Sequence, residues 1–389
     1  MSCNLQEDKV FSNPKAQLST KSFGRLKPLP PDPHRSEYQR DIHRIIYSQP
    51  FRRLRHKTQV FFKPNNDHIS TRLEHVLHVA SAARSVARRL GFNEDLTEAI
   101  GLAHDIGHAP YGHHGEKVLN SISEEKGIGI KFEHELYGLR VVDILAELDR
   151  NPTAGLNLTY EVREGIIAHC GEAHDRIVFP SYDAREPVDL TTVTSKTGVK
   201  APSTYEAAIV RLVDKIVWAA RDVEDAIHAN LIDENTIPAD IIATLGKNNG
   251  IIVETMLNDL VDYSRHNSDC IGMSEDKFAA LESLIEFNNN NIYHNEKVEL
   301  FKKQTERAIK QLFEYLVIDL DATERLQDEA KLKLLPPASI YQVLGTFIRK
   351  VKYPPDVKTE LIVLDFIAGM TDNYVIRCLE EIFTPKEII

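Results

Sequence analysis

Histidine and aspartate occupy adjacent positions at His104 and Asp105, within the segment AIGLAHDIGHAPYGHHGE. An imidazole and a carboxylate on neighbouring residues can converge on one cation if the helix that carries them ends there. Gly107 and Pro110 predict that ending, because neither residue continues a helix comfortably. The segment therefore predicts a metal site. Further side chains suited to proton transfer or anion contact follow it: His108, His113, His114 and Glu116.

A second His-Asp pair, His174 and Asp175, provides an internal control, because it lies in the polar stretch GEAHDRIV without such neighbours. A His-Asp dipeptide alone is a weak indication of a metal site. We therefore assign the first pair to the candidate site and expect the second pair in a surface loop.

Composition restricts the classes of function. The 389 residues contain 47 lysines and arginines against 58 aspartates and glutamates, so the formal net charge is −11. This balance disfavours nucleic acid and anionic membrane surfaces as main partners. Four scattered cysteines without a CxxC spacing disfavour disulfides and a thiolate metal site. The sequence shows neither a signal peptide nor a membrane-spanning apolar run, so we expect a cytoplasmic protein.

Helical periodicity extends through most of the chain and predicts an all-α fold with at most a short β-hairpin. Residues 1–36 are polar and end in KPLPPDPHR, which predicts a proline-rich arm that packs as extended chain or is partly disordered. We divide the rest into a helical core at 37–235 and additional C-terminal helices at 236–389. Residues 176–202 lack periodicity and are rich in Pro, Thr, Ser and Gly, so they predict a long loop, with room for a short hairpin.

Two consecutive helices lead to the His-Asp pair. The segment ISTRLEHVLHVASAARSVARRLG predicts a long helix capped near Ser70 or Thr71 and ended by Gly91. Asn93 then caps a second helix that runs into His104.

A third helix has the most regular apolar pattern in the chain. Ser203 and Glu206 have the spacing of a capping box at its start. Apolar residues then recur at three- and four-residue steps, which predicts one buried face. Asp214 and Trp218 project together from the neighbouring face, one turn apart.

Divalent cations of hard or borderline character prefer oxygen and imidazole ligands, and a catalytic site leaves positions open for water and substrate. His104 and Asp105 supply one ligand of each kind. Two more ligands must come from inward helix faces, and His75 and Asp214 are the natural candidates. Taken singly, His75 could be a core histidine and Asp214 the partner of a buried arginine. Taken together, the four residues predict one divalent ion per chain: Mg, Mn, Fe, Co or Ni.

The order His75, His104–Asp105 and Asp214 resembles the metal site of the HD-domain phosphohydrolases. Longer strings resemble the bacterial deoxyguanosine triphosphate triphosphohydrolase-like family, from about residue 39 to residue 374. The resemblance implies an HD-domain helical core and C-terminal helices that build a homohexamer. It also implies that a deoxynucleoside triphosphate is split into deoxynucleoside and inorganic triphosphate. The strings are RDIHRIIYSQPFRRLRHKTQVF, TRLEHVLHVASAARSVARRLGFNEDLTEAIGLAHDIGHAPYGHHGE, LVDKIVWAARDVEDAI and DFIAGMTDNYV.

Release of triphosphate requires attack by water at the α-phosphorus and departure of the sugar 5′-oxygen, and both oxygens need proton transfer. His113 and Glu116 are three residues apart at an expected helix start, so the carboxylate could orient the imidazole. By resemblance, this pair matches the catalytic His-Glu dyad of the family. His134 matches a further histidine near the α-phosphate, and His108 matches another phosphate-side position. Without the family match, His113 and His134 could equally be surface histidines.

The resemblance also assigns substrate contacts. Arg72 and Lys215, which flank two of the ligands, match phosphate contacts of the family, and Arg53 is a further candidate. A triphosphate carries enough negative charge to need cations beyond the metal.

Three further residues relate to the sugar. Gln59 and Asp222 match positions that bind the 3′-hydroxyl. Trp218 stands where the family commonly has a tyrosine packed against the deoxyribose. A bulky ring there could exclude a 2′-hydroxyl and favour deoxyribose, whereas the alternative role of Trp218 is ordinary core packing.

Two alternatives to this function stay open. The first is another HD-superfamily nucleotide phosphohydrolase, a phosphodiesterase or a monophosphatase with different phosphate contacts. The second is a non-catalytic protein, either a nucleotide-sensing regulator or a nucleic-acid-binding protein whose site no longer turns over. The family resemblance also implies a second nucleotide that binds as an allosteric activator at a subunit interface.

Overall fold

Helices account for most of the fold, which confirms the all-α prediction. The structure, a computed structural model, describes residues 7–62, 68–148, 155–169, 175–184, 186–195, 201–322 and 339–385. The helices are α1 (Glu7–Val10), α2 (Glu37–Ile46), α3 (Gln49–Arg53), α4 (Arg72–Leu90), α5 (Glu94–Ala103), α6 (Gly112–Glu125), α7 (His134–Arg140), α8 (Tyr160–Ala168), α9 (Tyr205–His228), α10 (Ala239–Leu245), α11 (Asn249–His266), α12 (Glu275–Asn288), α13 (Glu296–Ala322), α14 (Ile340–Val351), α15 (Thr359–Ala368) and α16 (Asp372–Phe383).

Helices α4, α5 and α9 pack directly against one another and form the centre of the fold. Helix α4 follows Thr71, whose backbone N–H donates to the Glu74 carboxylate at 2.6 Å. It ends at Gly91, which has the left-handed conformation with φ of 79°. Both predicted ends of this helix are therefore confirmed, and the glycine is needed because side chains rarely tolerate that backbone conformation.

The caps of α5 and α9 show one confirmed prediction and one wrong one. Asn93 accepts the N–H of Asp95 at 3.0 Å and caps α5 as predicted. Helix α9 is capped by Thr204 rather than by Ser203, whose hydroxyl donates to another carboxylate. Glu206, the other half of the predicted capping box, accepts backbone N–H groups from outside its own helix. Because Glu206 is buried against the N-terminal segment and binds its backbone, it does not take part in a capping box.

The sheet is minimal and joins distant segments. Strands β1 (Ile177–Val178) and β2 (Ile271–Gly272) pair in antiparallel orientation. The predicted loop thus contributes one strand, and its partner comes from the segment after α11 rather than from a local hairpin.

The described part of the N-terminal arm lies against the core. The Gln17 side chain is fully buried. Arg25 forms ion pairs with Glu37, at 2.7 Å, and with the buried Asp41. One hydrophobic core includes residues of the arm, of region 37–235 and of region 236–389, whose division stays a prediction.

The C-terminal helices close over the segment that follows α5. Helix α13 packs against α6, α15 and α16. Asp372, at the start of α16, accepts the backbone N–H of Thr58 at 2.7 Å and of Tyr111 at 2.8 Å. This buried carboxylate therefore fixes the chain on both sides of the candidate site. Among the described helices, none has the length and apolar composition needed to cross a lipid bilayer.

Candidate active site

The four predicted ligands converge. Nε2 of His75, on α4, lies 3.0 Å from Oδ1 of Asp214, on α9, and 3.4 Å from Nε2 of His104, at the end of α5. The Asp105 carboxylate oxygens lie 3.7 Å from His75 and 3.6 Å from His104. All four residues are buried. Residues far apart in the chain thus present two imidazole nitrogens and the Asp214 carboxylate to one point, and the Asp105 carboxylate lies directly beside both imidazoles.

Close helix packing produces this convergence. A Cβ on Gly101 of α5 would lie 2.8 Å from the Ala80 backbone of α4, so only glycine permits this approach of the two helices. The approach brings His75 and His104 together, one on each helix.

The donor groups fit a divalent cation. The Nδ1–H of His104 donates to the Gly101 carbonyl at 2.7 Å, which leaves the Nε2 lone pair directed at the cluster. Two ligands that are each about 2.1 Å from one ion lie about 3.0–3.4 Å apart in octahedral or tetrahedral geometry. Burial opposes ionisation of Asp105, but His108 and Arg72 beside it hold its pKa well below its ordinary value. The cluster therefore offers an ionised carboxylate and an imidazole in the tautomer that a metal needs.

Arg72 is buried beside this cluster. Its Nη1 donates to Oδ2 of Asp105 at 2.6 Å, and its Nη2 donates to the Gln59 carbonyl at 3.2 Å. The side-chain oxygen of Gln59 is buried and has no hydrogen-bond partner among the described residues. Two of the predicted substrate contacts thus lie at the edge of the metal cluster.

A second cluster adjoins the first and contains the predicted dyad. Glu116 Oε2 lies 3.5 Å from Nδ1 of His113 and 3.0 Å from Nδ1 of His134. His108 stacks on His134 with 3.9 Å between ring centroids, and its Nε2 lies 3.0 Å from Asp105. His134 is the closer partner of the carboxylate, whereas the His113 side chain is 52% exposed.

Charge in this cluster follows from its burial and its contacts. Burial raises the pKa of Glu116, but the adjacent His134 and hydrogen bonds from His113 and His134 outweigh that effect and leave this pKa below its ordinary value. Burial also opposes protonation of His134, but Glu135 and Glu116 raise its pKa to about 10. Glu116 is therefore ionised near neutral pH.

His169 is the residue of this site that the sequence did not single out. It follows α8, and its Nε2 lies 3.3 Å from Nε2 of His134. Its ring centroid is 5.0 Å from that of His104. Burial, with His104 and His134 nearby, lowers its pKa to about 4. The sequence signal was a histidine that ends an apolar helix, which does not reveal that α8 packs beside α7.

A glycine contact positions His134. A Cβ on Gly107 would lie 2.1 Å from the His134 carbonyl oxygen and 2.3 Å from the Gly138 nitrogen. No side chain fits there, so Gly107 allows α7 to rest on the segment that contains Asp105.

Two of the three residues predicted to contact the sugar lie further along α9. Asp222 is buried and accepts a hydrogen bond from the Tyr293 hydroxyl. Burial raises the pKa of Asp222 to about 7. Trp218 is half-buried against the core, between Asp214 and Asp222 on the same helix.

The structure does not bring two predicted phosphate contacts into the metal cluster. Lys215 Nζ lies over the Phe278 ring of α12, 5.6 Å from its centroid. Arg53 is half-buried beside Gly369, and burial lowers its pKa to about 10. The family resemblance suggested both contacts, and the place of Lys215 beside Asp214 in sequence does not determine where its side chain lies.

The described residue of the second His-Asp pair lies at the protein surface. Asp175 is 41% exposed and forms an ion pair with Arg211. His174 lies outside the described residues.

Comparison with known proteins agrees with this geometry. The family model described as HD domain matches residues 72–219, the part of the chain that carries all four predicted ligands. The fold and the site thus define a metal-dependent HD-domain phosphohydrolase.

Full-length relatives identify the family. A deoxyguanosinetriphosphate triphosphohydrolase-like protein of Caldanaerobacter subterraneus subsp. tengcongensis is 36% identical over 98% of this chain and 94% of its own length. Proteins with the same name from Desulfatibacillum aliphaticivorans and Geobacter sulfurreducens are 35% and 33% identical over 99% and 96% of this chain, and over 98% and 95% of their own lengths. The chain belongs to the deoxyguanosinetriphosphate triphosphohydrolase-like family.

Proposed function

We propose that this protein hydrolyses deoxynucleoside triphosphates, dGTP or several of them, to deoxynucleoside and inorganic triphosphate. The observation that carries the proposal is the convergence of His75, His104, Asp105 and Asp214 beside buried histidines and an arginine. The names of the relatives support the same substrate class.

His75, His104, Asp105 and Asp214 would hold one divalent ion. When bound, such an ion polarises a phosphate oxygen and makes water more acidic. The chain's own part is to bury these donors and fix their orientation. The hydrogen bond from His104 to Gly101 and the ion pair from Arg72 to Asp105 perform that task.

His113 and Glu116 would transfer a proton to the leaving group. His113 is the exposed member, so its imidazole is accessible to a substrate, while the buried, ionised Glu116 stabilises the protonated ring. His113 can then give a proton to the departing 5′-oxygen of the sugar. His134 and His108, stacked beside this pair, would contact the α-phosphate side.

Other residues of the site would contact the charged phosphates and the sugar of the substrate. Arg72 lies next to the ligands and can share its charge with phosphate. Gln59 has a buried side-chain oxygen without a partner among the described residues, which could accept from the 3′-hydroxyl. Asp222 offers the same function one helix turn beyond Trp218, whose ring could exclude a 2′-hydroxyl.

Product identity tests the proposal. The protein should be incubated with each of the four deoxynucleoside triphosphates, singly and mixed, with Mn²⁺ or Mg²⁺, and the products should be separated by chromatography. Deoxynucleoside and inorganic triphosphate are expected in equal amounts. Pyrophosphate or orthophosphate as the first product would instead indicate an HD phosphodiesterase or monophosphatase.

The mixed incubations also test whether a second nucleotide activates the enzyme. Turnover is then expected to be faster in mixtures than with single nucleotides. Tight nucleotide binding without any turnover would favour the sensing regulator.

The proposed oligomeric state needs a separate measurement. Light scattering should give the mass of a homohexamer.

A further inference from the structure

Helix α12 ends at Asn288 and continues directly into a π-helical turn, Asn289–Tyr293. In a π-helix each backbone N–H bonds the carbonyl five residues earlier, so residues five apart lie on the same face. An α-helix turns about 100° per residue, and residue 293 would then point about 140° away from residue 288. The change of helix type therefore turns Tyr293 to the side of the helix that carries Asn288.

Both of these residues bind α9. The Asn288 side-chain amide donates to the Ala219 carbonyl at 2.9 Å, and the Tyr293 hydroxyl donates to Oδ2 of Asp222. Ala219 and Asp222 are three residues apart and are therefore neighbours on the surface of α9. The two contacts attach the π-helical turn to the part of α9 that follows Trp218.

The burial of Asn288 is unfavourable for stability. Its side chain is fully buried, and its side-chain oxygen has no hydrogen-bond partner among the described residues. A buried amide oxygen without a partner destabilises the fold, whereas an apolar side chain of the same size would avoid that cost. Departures of this kind from the rules of core packing are typical of functional sites. The contact that distinguishes Asn288 from an apolar residue is its hydrogen bond to the Ala219 carbonyl.

The Asp222 carboxylate is held in one orientation. It is buried, Tyr293 occupies its Oδ2, and its Oδ1 has no hydrogen-bond partner in the part of the chain that the structure describes. Because a carboxylate is planar, fixing one oxygen also fixes the direction of the other. Oδ1 is thus the acceptor available to a substrate hydroxyl. Its position depends on Tyr293 and, through the π-helical turn, on Asn288.

We infer that Asn288 is a positioning residue for sugar recognition, because it anchors the π-helical turn on α9 so that Tyr293 orients Asp222 toward the sugar 3′-hydroxyl. The inference rests on the proposed function, which assigns that hydroxyl to Asp222. Asn288 itself acts on the substrate only through these two residues. Loss of its amide should weaken the contact to the 3′-hydroxyl and leave the other substrate contacts in place.

A comparison of two substrates separates this role from simple packing. Hydrolysis of a deoxynucleoside triphosphate and of its 2′,3′-dideoxy analogue should be measured with Mn²⁺ for the full-length parent protein and for Asn288→Leu. The parent should prefer the substrate that has the 3′-hydroxyl. The ratio of the two kcat/KM values should fall about tenfold in the variant, the usual effect of losing a hydrogen bond to a charged group. A change in packing alone would lower both values by the same factor and leave the ratio unchanged.

Further variants test whether Asn288 acts through Tyr293. Tyr293→Phe lacks the hydroxyl and should lower the ratio as Asn288→Leu does. The double variant should show no further loss, because both changes interrupt the same contact. Asn291→Leu is the matched control and should keep the parent ratio, since the Asn291 side-chain amide donates to the Phe287 carbonyl of its own helix, at 2.8 Å.

Asn288→Ala replaces Asn288→Leu if the leucine variant fails to fold, as judged by circular dichroism. A parent-like ratio in a folded Asn288 variant or in Tyr293→Phe overturns the inference. Equal kcat/KM values of the parent for the two substrates, or an additive loss in the double variant, overturn it as well. Failure of the proposed function gives a different result, because the parent protein would then release no inorganic triphosphate from either substrate.

Discussion

The two sides of Asp105 are carried by helices that pack in different ways. On the first side, His75, His104 and Asp214 are carried by α4, α5 and α9, which pack directly on one another. The donors on the second side are carried by helices that do not form one such group, since α7 packs on α8 whereas α6 packs on α13. They are His113 and Glu116 near the start of α6, His134 at the start of α7 and His169 after α8.

This difference determines how firmly each donor is held. A side chain on a helix that packs against two neighbouring helices is held by contacts from both of them. A side chain on a helix with fewer such neighbours depends more on where the adjoining loop backbone lies. Gly115 shows that dependence, because a Cβ there would lie 1.9 Å from the Pro110 carbonyl oxygen. The second side is therefore the one that small backbone changes should disturb first.

The largest effect is expected from removing a ligand on the first side. Asp214→Ala, like His104→Ala, should lose the metal and lower the turnover rate by about 10³-fold or more, because Lewis-acid stabilisation contributes several kcal/mol and each 1.4 kcal/mol is tenfold. Elemental analysis and rate measurement on the same sample check this. Asp225→Ala is the matched control, since Asp225 is a buried aspartate of α9 that binds Ser70 instead. A metal-replete, active Asp214→Ala would refute the four-ligand site.

His113→Ala should lower the rate of the reaction without affecting metal binding. The variant should keep its metal and lose about 10²- to 10⁴-fold in rate, the usual contribution of a general acid or base. His114→Ala is the control, because its Nε2 bonds the Lys302 carbonyl at 2.7 Å and it has no assigned role in the site. Steady-state kinetics with metal analysis measures both. Equal rates in the parent and His113→Ala would show that the dyad is wrongly assigned.

The same contrast explains which parts of the structure were predictable from sequence. Helix α4 and its ends followed from apolar periodicity and Gly91, and a regular helix then placed His75 on an inward face. His169 was missed because its neighbour His134 comes from another short helix, and no local pattern reports that contact. Lys215 flanks Asp214 in sequence, but a helix turns about 100° per residue, so its side chain points to α12 instead.

Non-local burial accounts for the wrong cap of α9. Ser203 and Glu206 match a capping box in sequence, but each binds a partner from another segment. Those partners are unknown until the N-terminal arm and α8 are placed. Thr204, which looked equivalent to its neighbours, then takes the cap position.

Gly107→Ala should disturb the second side alone. The added methyl group would have to displace the His134 carbonyl or the Gly138 nitrogen, which costs about 1–3 kcal/mol of stability or more. We expect reduced turnover and a lower melting temperature while the metal ion stays bound. Gly250→Ala is the control, because the nearest atom to its new methyl group would be 3.7 Å away. A parent-like melting temperature for Gly107→Ala would mean that α7 can move without cost.

Lys57, which contacts the second side, makes the stability of the protein depend on pH. Its buried Nζ donates to the carbonyls of His108 and Ala368, and burial lowers its pKa from the ordinary 10.5 to about 7. Between those two values the unfolded chain binds a proton that the folded chain does not, so this residue makes stability rise with pH. Below pH 7 both states are protonated and the contribution is constant.

Lys57→Met removes that titration. Urea unfolding at pH 7 to 10 should show stability rising more steeply with pH in the parent than in the variant, with a difference of up to a few kcal/mol, since one pKa unit corresponds to about 1.4 kcal/mol. Parallel curves for the two proteins would show that Lys57 is charged in the folded state.

The smallest effect is expected at the second His-Asp pair, which has the dipeptide of the first without its surroundings. The Asp175 carboxylate is 41% exposed, so its ion pair with Arg211 is screened by water, and exposed pairs contribute about 0–1 kcal/mol. Asp175→Ala should therefore keep the full metal content and parent-like rates, with a melting temperature close to that of the parent. Loss of metal in this variant would mean that the wrong pair was chosen, because the same two residue types would then bind an ion without inward-facing ligands from α4 and α9.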